Sequence, residues 1–341
     1  MAERKTKMNQ PVVLIDMMNL IFRSHFVFRN LSSNGRPTGA LYGCLRTIAE
    51  LREHVSKRLL FVWDHGIPVS GAAKPRNWRD EFLKGYKGTR KHEGNDRELA
   101  LSQSLDIAQA ISLLGYESTS IVGLEADDLI GILSRRNFPD DEVLIFSNDH
   151  DFYQLLSNSS VKILVPKKDQ GSFRYLTRSD IEEEYKISVK RWAEYLALGG
   201  DKSDNIKPKP GMGPKTAIKL IQQGVNLNQH LNCQPAFFQE KYGEVWPAIQ
   251  NMYAAARIPT SWGDQRIVDC THGLPLLCSP DQQWPNQKIK LQSQNVFMRF
   301  CADRDLVSIL SLRRSLFEAG EQKWPKDESN KNNRKSLLTS T

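Results

Sequence analysis

Three short apolar runs in this chain stop on an aspartate, and that repeated ending constrains the fold more than any other feature. PVVLID (11–16) ends on Asp16, LLFVWD (59–64) on Asp64, and DEVLIFSND (141–149) on Asp149. A fourth run, YESTSIV (116–122), leads into GLEADD (123–128), which carries Glu125, Asp127 and Asp128. VKILVP (161–166) reads as a fifth strand. Between these runs lie TGALYGCLRTIAELREHV (38–55), DRELALSQSLDIAQAISLLG (96–115) and ADDLIGILSRR (126–136), all with helical apolar spacing. Continuous apolar strands alternating with amphipathic helices predict an α/β fold: a central, mostly parallel sheet with helices on both faces. In such open sheets, ligands bind beyond the carboxyl ends of the strands. The acids are therefore expected to converge although they are far apart in sequence.

A single strand-end aspartate is ordinary, because aspartate caps helices and starts turns. Acids at four strand ends of one sheet predict a cluster. FSNDHDF (146–152) adds Asp151 beside Asp149. Carboxylates this close stay ionised only beside cations. An all-oxygen set selects hard divalent ions, so Mg²⁺ or Mn²⁺ is expected over zinc. LGGDKSDNIKPKPGMGPKTAIKLI (198–221) adds Asp201 and Asp204, which share a face if the segment is helical. Gly211 and Gly213 then precede Pro214, Lys215 and Thr216. Proline after a glycine turn marks a helix start, whose free N–H groups suit a phosphate beside Lys215. The segment predicts a helix–turn–helix clamp that grips a nucleic-acid backbone without reading bases. An ordinary Gly-Pro turn is the plain alternative.

Residues 74–97 carry eight Lys or Arg against four acids. Trp78, Phe82 and Tyr86 recur at i, i+4, i+8 and predict one apolar or base-stacking stripe. The segment lies between two acid-ending strands, so it should hang over the site; a solvated basic helix is the alternative. A net charge of +8 and a pI near 9.1 point to a polyanionic partner, nucleic acid above all. No apolar run is long enough to span a membrane, and MAERKTKMNQ lacks a signal-peptide core, so a cytoplasmic location is expected. The five cysteines show no C-x-x-C spacing. Reduced thiols are expected, with a zinc site on Cys270, His272 and Cys278 as the lesser reading.

LID with Asp16, VWD with Asp64, YKGTR (86–90), LEADD (124–128), SNDHDF (147–152) and GDKSDN (200–205) before GMGPKTA (211–217) occur in a fixed order. This order resembles the flap endonuclease/5′-nuclease family, which includes the 5′-to-3′ exonuclease domains of bacterial DNA polymerase I. NWRDEFLKGYKGTR (77–90) looks most like the phage branch, with the T4 RNase H and T5 flap endonuclease types. The resemblance covers about residues 11–225. It implies Asp16, Asp64, Glu125 and Asp127 around a first metal. Asp149, Asp151, Asp201 and Asp204 would reach a second, partly through water, and Asp128 is an acid some members lack. It also implies phosphate steering by Arg23, Lys87 and Arg90, base stacking by Tyr86 near an arch, and K⁺ at the clamp turn. Two Mg²⁺, or Mn²⁺ in their place, would support phosphodiester hydrolysis at duplex 5′ ends, 5′ flaps and RNA primers on DNA. One departure stands out: IKPKPGMG places Pro208 where the family's clamp has its first glycine, and adds Lys207 and Lys209.

The expected organisation is a flexible 1–10, a nuclease core over 11–197 with an arch at about 74–97, and a clamp over 198–225. A mostly helical part over 226–317 and a disordered tail over 318–341 complete it. The tail, with Trp324, is a candidate contact for a single-stranded DNA-binding protein or the replisome. A monomer without membrane contact is expected, in the host cytoplasm if phage-encoded. A catalytically silent junction-binding scaffold of the same fold is the alternative function. A phosphatase or PIN-like ribonuclease on a similar sheet is a further one.

Overall fold

The computed structural model describes residues 10–68, 77–88, 95–167, 172–261, 263–266, 294–310 and 316. The expected N-terminus, tail and Cys270–His272–Cys278 site lie outside them, as does Arg90.

The strand β1 (Val12–Asp16) is buried along its whole length, and its alternation builds two cores. Val12 and Leu14 face one layer, whereas Val13 and Ile15 face the other. The remaining strands are β2 (Ser32–Ser33), β3 (Arg36–Pro37), β4 (Arg58–Val62), β5 (Glu117–Thr119), β6 (Val143–Phe146), β7 (Val161–Pro166) and β8 (Phe173–Leu176). β2 and β3 form a small separate hairpin turning on Asn34 and Gly35, both at positive φ. The main sheet has the order β5-β4-β1-β6-β7-β8. β1 pairs in parallel with β4 and β6, and β8 runs antiparallel to β7. The chain thus winds outward from β1 to one side through β4 and β5, then returns to its other side at β6. The carboxyl end of β1 is the topological switch point where such sheets bind ligands.

Helices α1 (Met17–Val27), α2 (Gly39–His54), α4 (Asp96–Leu101) and α5 (Ser104–Leu113) cover one face. Against them lie α12 (Gln294–Ala302) and α13 (Val307–Leu310). α6 (Ala126–Arg136), α8 (Trp192–Gly199), α9 (Pro214–Gln222), α10 (Ala236–Tyr242) and α11 (Trp246–Ala256) pack the other face. Between these lie α3 (Arg79–Phe82) and α7 (Arg178–Tyr185). The described part of 226–317 is thus largely helical.

Four local expectations need correction. Residues 96–115 form two helices because Gln103, buried at the break, spends its amide on Leu99 O and Leu41 N. YESTSIV contributes only β5. The stripe through Trp78, Phe82 and Tyr86 is not one helix: α3 ends at Phe82, Leu83 is extended, and Gly85 and Lys87 take positive φ. Asp201 and Asp204 do not share a helical face either. Residues 201–206 form a turn closed by Asp201 N–Ile206 O and Ile206 N–Asp201 O bonds of 2.9 and 2.7 Å.

Candidate active site

Each acid of the switch point first serves its own backbone. Asp16 caps α1, accepting from Asn19 N at 3.1 Å with one oxygen and from Ser147 Oγ at 3.0 Å with the other. Asp64 accepts from Ala126 N at 2.8 Å, at the start of α6. Glu125 is the N-cap of α6 and shares a capping box with Asp128. Asp149 caps a 3₁₀ helix (His150–Ser157) by accepting from Asp151 N at 3.0 Å. Capping and clustering are therefore one design. The helix starts hold the carboxylates at the strand ends, and Asp16, Asp64, Glu125, Asp127 and Asp149 line one cleft of about 420 Å³.

Two cations, Arg79 buried and Lys87 half-buried at the cleft, divide the acids. The Arg79 guanidinium donates to Glu125 Oε2 at 3.1 Å, Asp127 Oδ2 at 2.9 Å and Asp128 Oδ2 at 3.1 Å. Its Nε donates to Ala255 O at 3.1 Å, at the end of α11. The rings of Trp78 and Tyr86 lie 4.5 and 5.6 Å from it. Lys87 Nζ donates to Glu125 Oε1 at 2.8 Å and stands 3.8 Å from Asp204 Oδ1. Lys87 itself is held at φ +54, with its N–H bonded to Asp204 O at 3.3 Å. A non-glycine residue at such an angle persists only when its surroundings impose it. Asp16, Asp64, Asp149 and Asp151 have no ion pair among the described residues.

The electrostatics follow that division except at Asp127, which burial, with Asp128 and Glu125, raises although Arg79 pairs with it. Burial, helped by Asp64, pushes the Asp16 carboxyl up to about 7. Burial and Glu125 raise Asp64, and burial together with Asp204 and Asp201 raises Asp149. Asp151 is raised well above the carboxylate range by burial and Asp149, and its Oδ1 has no partner among the described residues. Burial also pushes Glu125 up, but Lys87 and Arg79 more than offset it and hold it well below the usual range. Among the described residues, no three Asp, Glu, His or Cys side chains already enclose a single ion. The donor chemistry nevertheless fits a hard divalent cation: all ligands are oxygen, and the unpaired carboxylates lack a neutralising charge.

The family model for the 5′-3′ exonuclease N-terminal resolvase-like domain matches residues 11–186. The chain belongs to the 5′-3′ exonuclease family. A 5′-3′ exonuclease of Buchnera aphidicola (subsp. Schizaphis graminum) is 33% identical over 227 residues, 65% of this chain and 74% of the relative. DNA polymerase I of Deinococcus radiodurans is 34% identical over 227 residues, 65% of this chain but only 22% of the polymerase. The solved T5 D15 protein, co-crystallised with metal ions, shares the fold with a TM-score of 0.56 at 18% identity. That match covers 88% of this chain and 98% of the other. The Rad2 catalytic core in complex with DNA substrate has a TM-score of 0.53 at 16% identity, covering 91% and 93%.

In this 5′-3′ exonuclease family member, several expected site residues take other places. Asp128 is fully buried and turned from the cleft, accepting from Glu125 N and Trp78 Nε1 at 3.0 Å each. It is a capping and ion-pair residue. Tyr86 is 4% exposed, with its hydroxyl within 2.9 Å of both Glu125 and Asp204, so its ring offers no free stacking surface. Asp151, Asp201 and Asp204 are not among the residues that line the cleft but lie close enough to Asp149 to interact with it, with Asp201 accepting from Ser203 N at 2.6 Å. Arg23 and Lys87 line the cleft. In the clamp, α8 packs on α9, Lys215 is exposed and Thr216 half-buried at the start of α9. Gly211 has φ +76, which favours glycine; Gly213 is extended and does not need it.

Arg79 is the residue sequence reasoning missed, having been only one of eight basic residues in its segment. The available signal was the acid-dense LEADD start of an amphipathic helix, whose buried acids need a buried cation.

The raised carboxylates predict an unusual pH profile for the metal-free protein. The folded protein holds the Asp16 proton up to about 7, whereas the unfolded chain releases it near 3.8. Between those values the native state binds the extra proton, so stability falls as pH rises. The Asp16 contribution is on the order of 4 kcal/mol. Glu125 acts oppositely, losing its contribution as pH falls below 4.5. Thermal melts in EDTA should therefore show a higher Tm near pH 5 than near pH 8. A Tm that rises steadily from pH 5 to 8 would contradict these shifts.

Proposed function

We propose that this chain is a structure-specific 5′ nuclease that hydrolyses phosphodiesters at 5′ ends and 5′ flaps of DNA and removes RNA primers from RNA–DNA hybrids. The observation that carries it is the cleft at the switch point, where the carboxylates of Asp16, Asp64 and Asp149, without an ion pair among the described residues, face Lys87 and Arg23 in a 5′-3′ exonuclease family chain. The NWRDEFLKGYKGTR stretch supports a place in the phage branch. T5 5′-exonuclease has been solved with divalent zinc bound, and the Rad2 core with DNA, which supports metal-dependent action on DNA here.

Asp16, Asp64, Glu125 and Asp127 would hold one Mg²⁺, and Asp149, Asp151, Asp201 and Asp204 the other, partly through water, with Mn²⁺ able to substitute. When bound, two such ions lower the pKa of a water and stabilise the leaving oxygen. The protein's own groups do the rest. Asn19 N, Ser147 Oγ and Ala126 N fix the orientation of Asp16 and Asp64. Lys87, aimed into the cleft from a constrained backbone, swings from Glu125 to the scissile phosphate and neutralises developing charge there. Arg23 and Arg90 steer the incoming strand. Gly211, Gly213, Lys215 and Thr216 form the clamp behind, with K⁺ at its turn, and hold the duplex without reading sequence. The protein acts as a monomer, with the tail available to a single-stranded DNA-binding or replisome partner. Among the described residues, no helix is long and apolar enough to cross a membrane.

A gel assay on flapped, nicked and RNA-primed duplexes tests the reading. Cutting is expected in Mg²⁺ and Mn²⁺ and none in excess EDTA. Junction binding with no cutting in either metal would establish the silent scaffold instead. Binding should also weaken steeply with salt, each phosphate contact adding about −0.7 to −0.9 to the slope of log K against log salt. A flat profile would remove the backbone-gripping role. The two lysines should separate kinetically. Lys87→Ala is expected to slow single-turnover cleavage roughly 10²–10³-fold. Lys215→Ala should mainly weaken duplex binding and lower the salt slope by about 1. Identical defects in the two variants would refute the division of labour.

A further inference from the structure

A second pocket, of about 380 Å³, opens where α6, the 150–157 helix, the 189–191 turn and the end of α11 meet. Arg135, Lys190 and Arg257 reach it from three of these elements. Among the described residues no acidic side chain lines it and none of the three cations has an ion pair, although Arg257 lies near enough to Asp264 to help lower it. Arg135 Nη2 donates to Ser157 Oγ at 2.9 Å, which orients its fork, and Arg257 lies over the Tyr253 ring at 5.6 Å. The floor is closed to other chemistry. Gln154 spends its amide nitrogen on Asp151 O and Ala256 O at 2.9 and 3.1 Å, and its oxygen accepts from Ile258 N at 2.9 Å. Tyr253 gives its hydroxyl proton to Asn228 Oδ1 at 2.7 Å. What remains free is almost entirely cationic donors.

Surface Arg and Lys are usually solvated singly. Three converging on one concave site with no acid in its described lining match a phosphate, whose oxygens accept the fork of an arginine in pairs. The cationic rim of the pocket at Arg135 lies away from the acidic cleft, although its floor reaches the backbone of Asp151 through Gln154. Glu125 opens α6 at the cleft and Arg135 lies ten residues further on, a rise on the order of 15 Å. We propose that this pocket is a phosphate-binding site, separate from the cleft, occupied either by a backbone phosphate of bound DNA or by free phosphate. Only the DNA source rests on the nuclease reading.

The test compares wild type with Arg135→Gln/Arg257→Gln, and with a control that removes two exposed cations elsewhere, Arg36→Gln/Lys167→Gln. All measurements are made in EDTA on the full chain, with unchanged Tm as the check on folding. Titration calorimetry with inorganic phosphate, and fluorescence anisotropy with a 5′-flapped duplex over a salt series, are the readouts. The pocket variant should lose at least about tenfold in phosphate affinity, or about tenfold in DNA affinity with a salt slope lower by about 1. Loss on DNA identifies the backbone as the source; loss on inorganic phosphate alone identifies the free ion. The proposal is overturned if wild type binds no phosphate and the pocket variant binds DNA like wild type, or if the control shows the same losses. Wild-type flap cleavage in Mg²⁺, measured on the same preparation, reports on the nuclease reading separately.

Discussion

Arg79→Met is expected to destabilise the folded protein by roughly 3–5 kcal/mol, because it leaves buried carboxylates without their cation. Methionine replaces much of the arginine stem, so the loss isolates the charge and its hydrogen bonds from simple packing. Glu125, Asp127 and Asp128 would each lose a partner within 3.1 Å, and Ala255 O would lose its donor. Arg79→Lys keeps the charge but not the planar fork, and should fall between the two. Urea denaturation followed by fluorescence measures the effect as a shift in midpoint at constant slope. A Met variant within about 1 kcal/mol of wild type would mean that the acids are neutralised by something other than Arg79. The deficit should be greater at pH 8 than at pH 5, since acids that lose the guanidinium bind protons more readily and protonation at the lower pH relieves the uncompensated charge.

The largest functional loss is expected for Asp149→Asn. Asparagine keeps an oxygen for Asp151 N, so the helix cap and the local fold survive. It removes a negative charge from a wall shared with Asp16 and Asp64, and so weakens the hold on a divalent ion. Cleavage should drop at least roughly hundredfold, which corresponds to about 2.7 kcal/mol or more of barrier. DNA binding in EDTA should be unchanged or tighter, because one carboxylate no longer repels the backbone. Near-normal turnover, or a parallel loss of DNA affinity, would place Asp149 outside the metal site. Calorimetric Mn²⁺ titration of the variant gives a readout independent of turnover.

Some of this architecture was legible in the sequence for simple reasons. VKILVP is β7 and ADDLIGILSRR is α6 residue for residue, because uninterrupted apolar strands and a capped amphipathic helix each leave one periodic signature. The strand-end acids were legible because they recur. β8 was not, because FRYL is an edge strand that is mostly solvated and carries too little apolar pattern. The turn at 201–206 was not legible because Asp201 and Asp204 also have helical spacing, which left a shared helical face open, whereas the Ser203 N–H and hydroxyl bonding Asp201 hold a turn. The burial of Tyr86 and the positive φ of Lys87 depend on Asp204, 118 residues away from Tyr86, and nothing local to YKG requires them. Arg79 had the same problem: its acids and its carbonyl partner lie 46 to 176 residues away.

The bond from Arg79 to Ala255 O also bears on how far the protein can be trimmed. The part that matches the family model ends at 186, and the motifs end near 225, so a shortened fragment looks natural from sequence alone. Yet Phe238, Ile249 and Met252 are buried in the same core as Leu14 and Ile145, and α11 supplies the carbonyl that seats the guanidinium among the acids. Removing residues beyond 225 would bare that hydrophobic face and unseat the counter-ion of the site in one cut. The catalytic half of this chain is therefore not a detachable module: its helical remainder is the scaffolding that keeps the acids' principal buried cation in register.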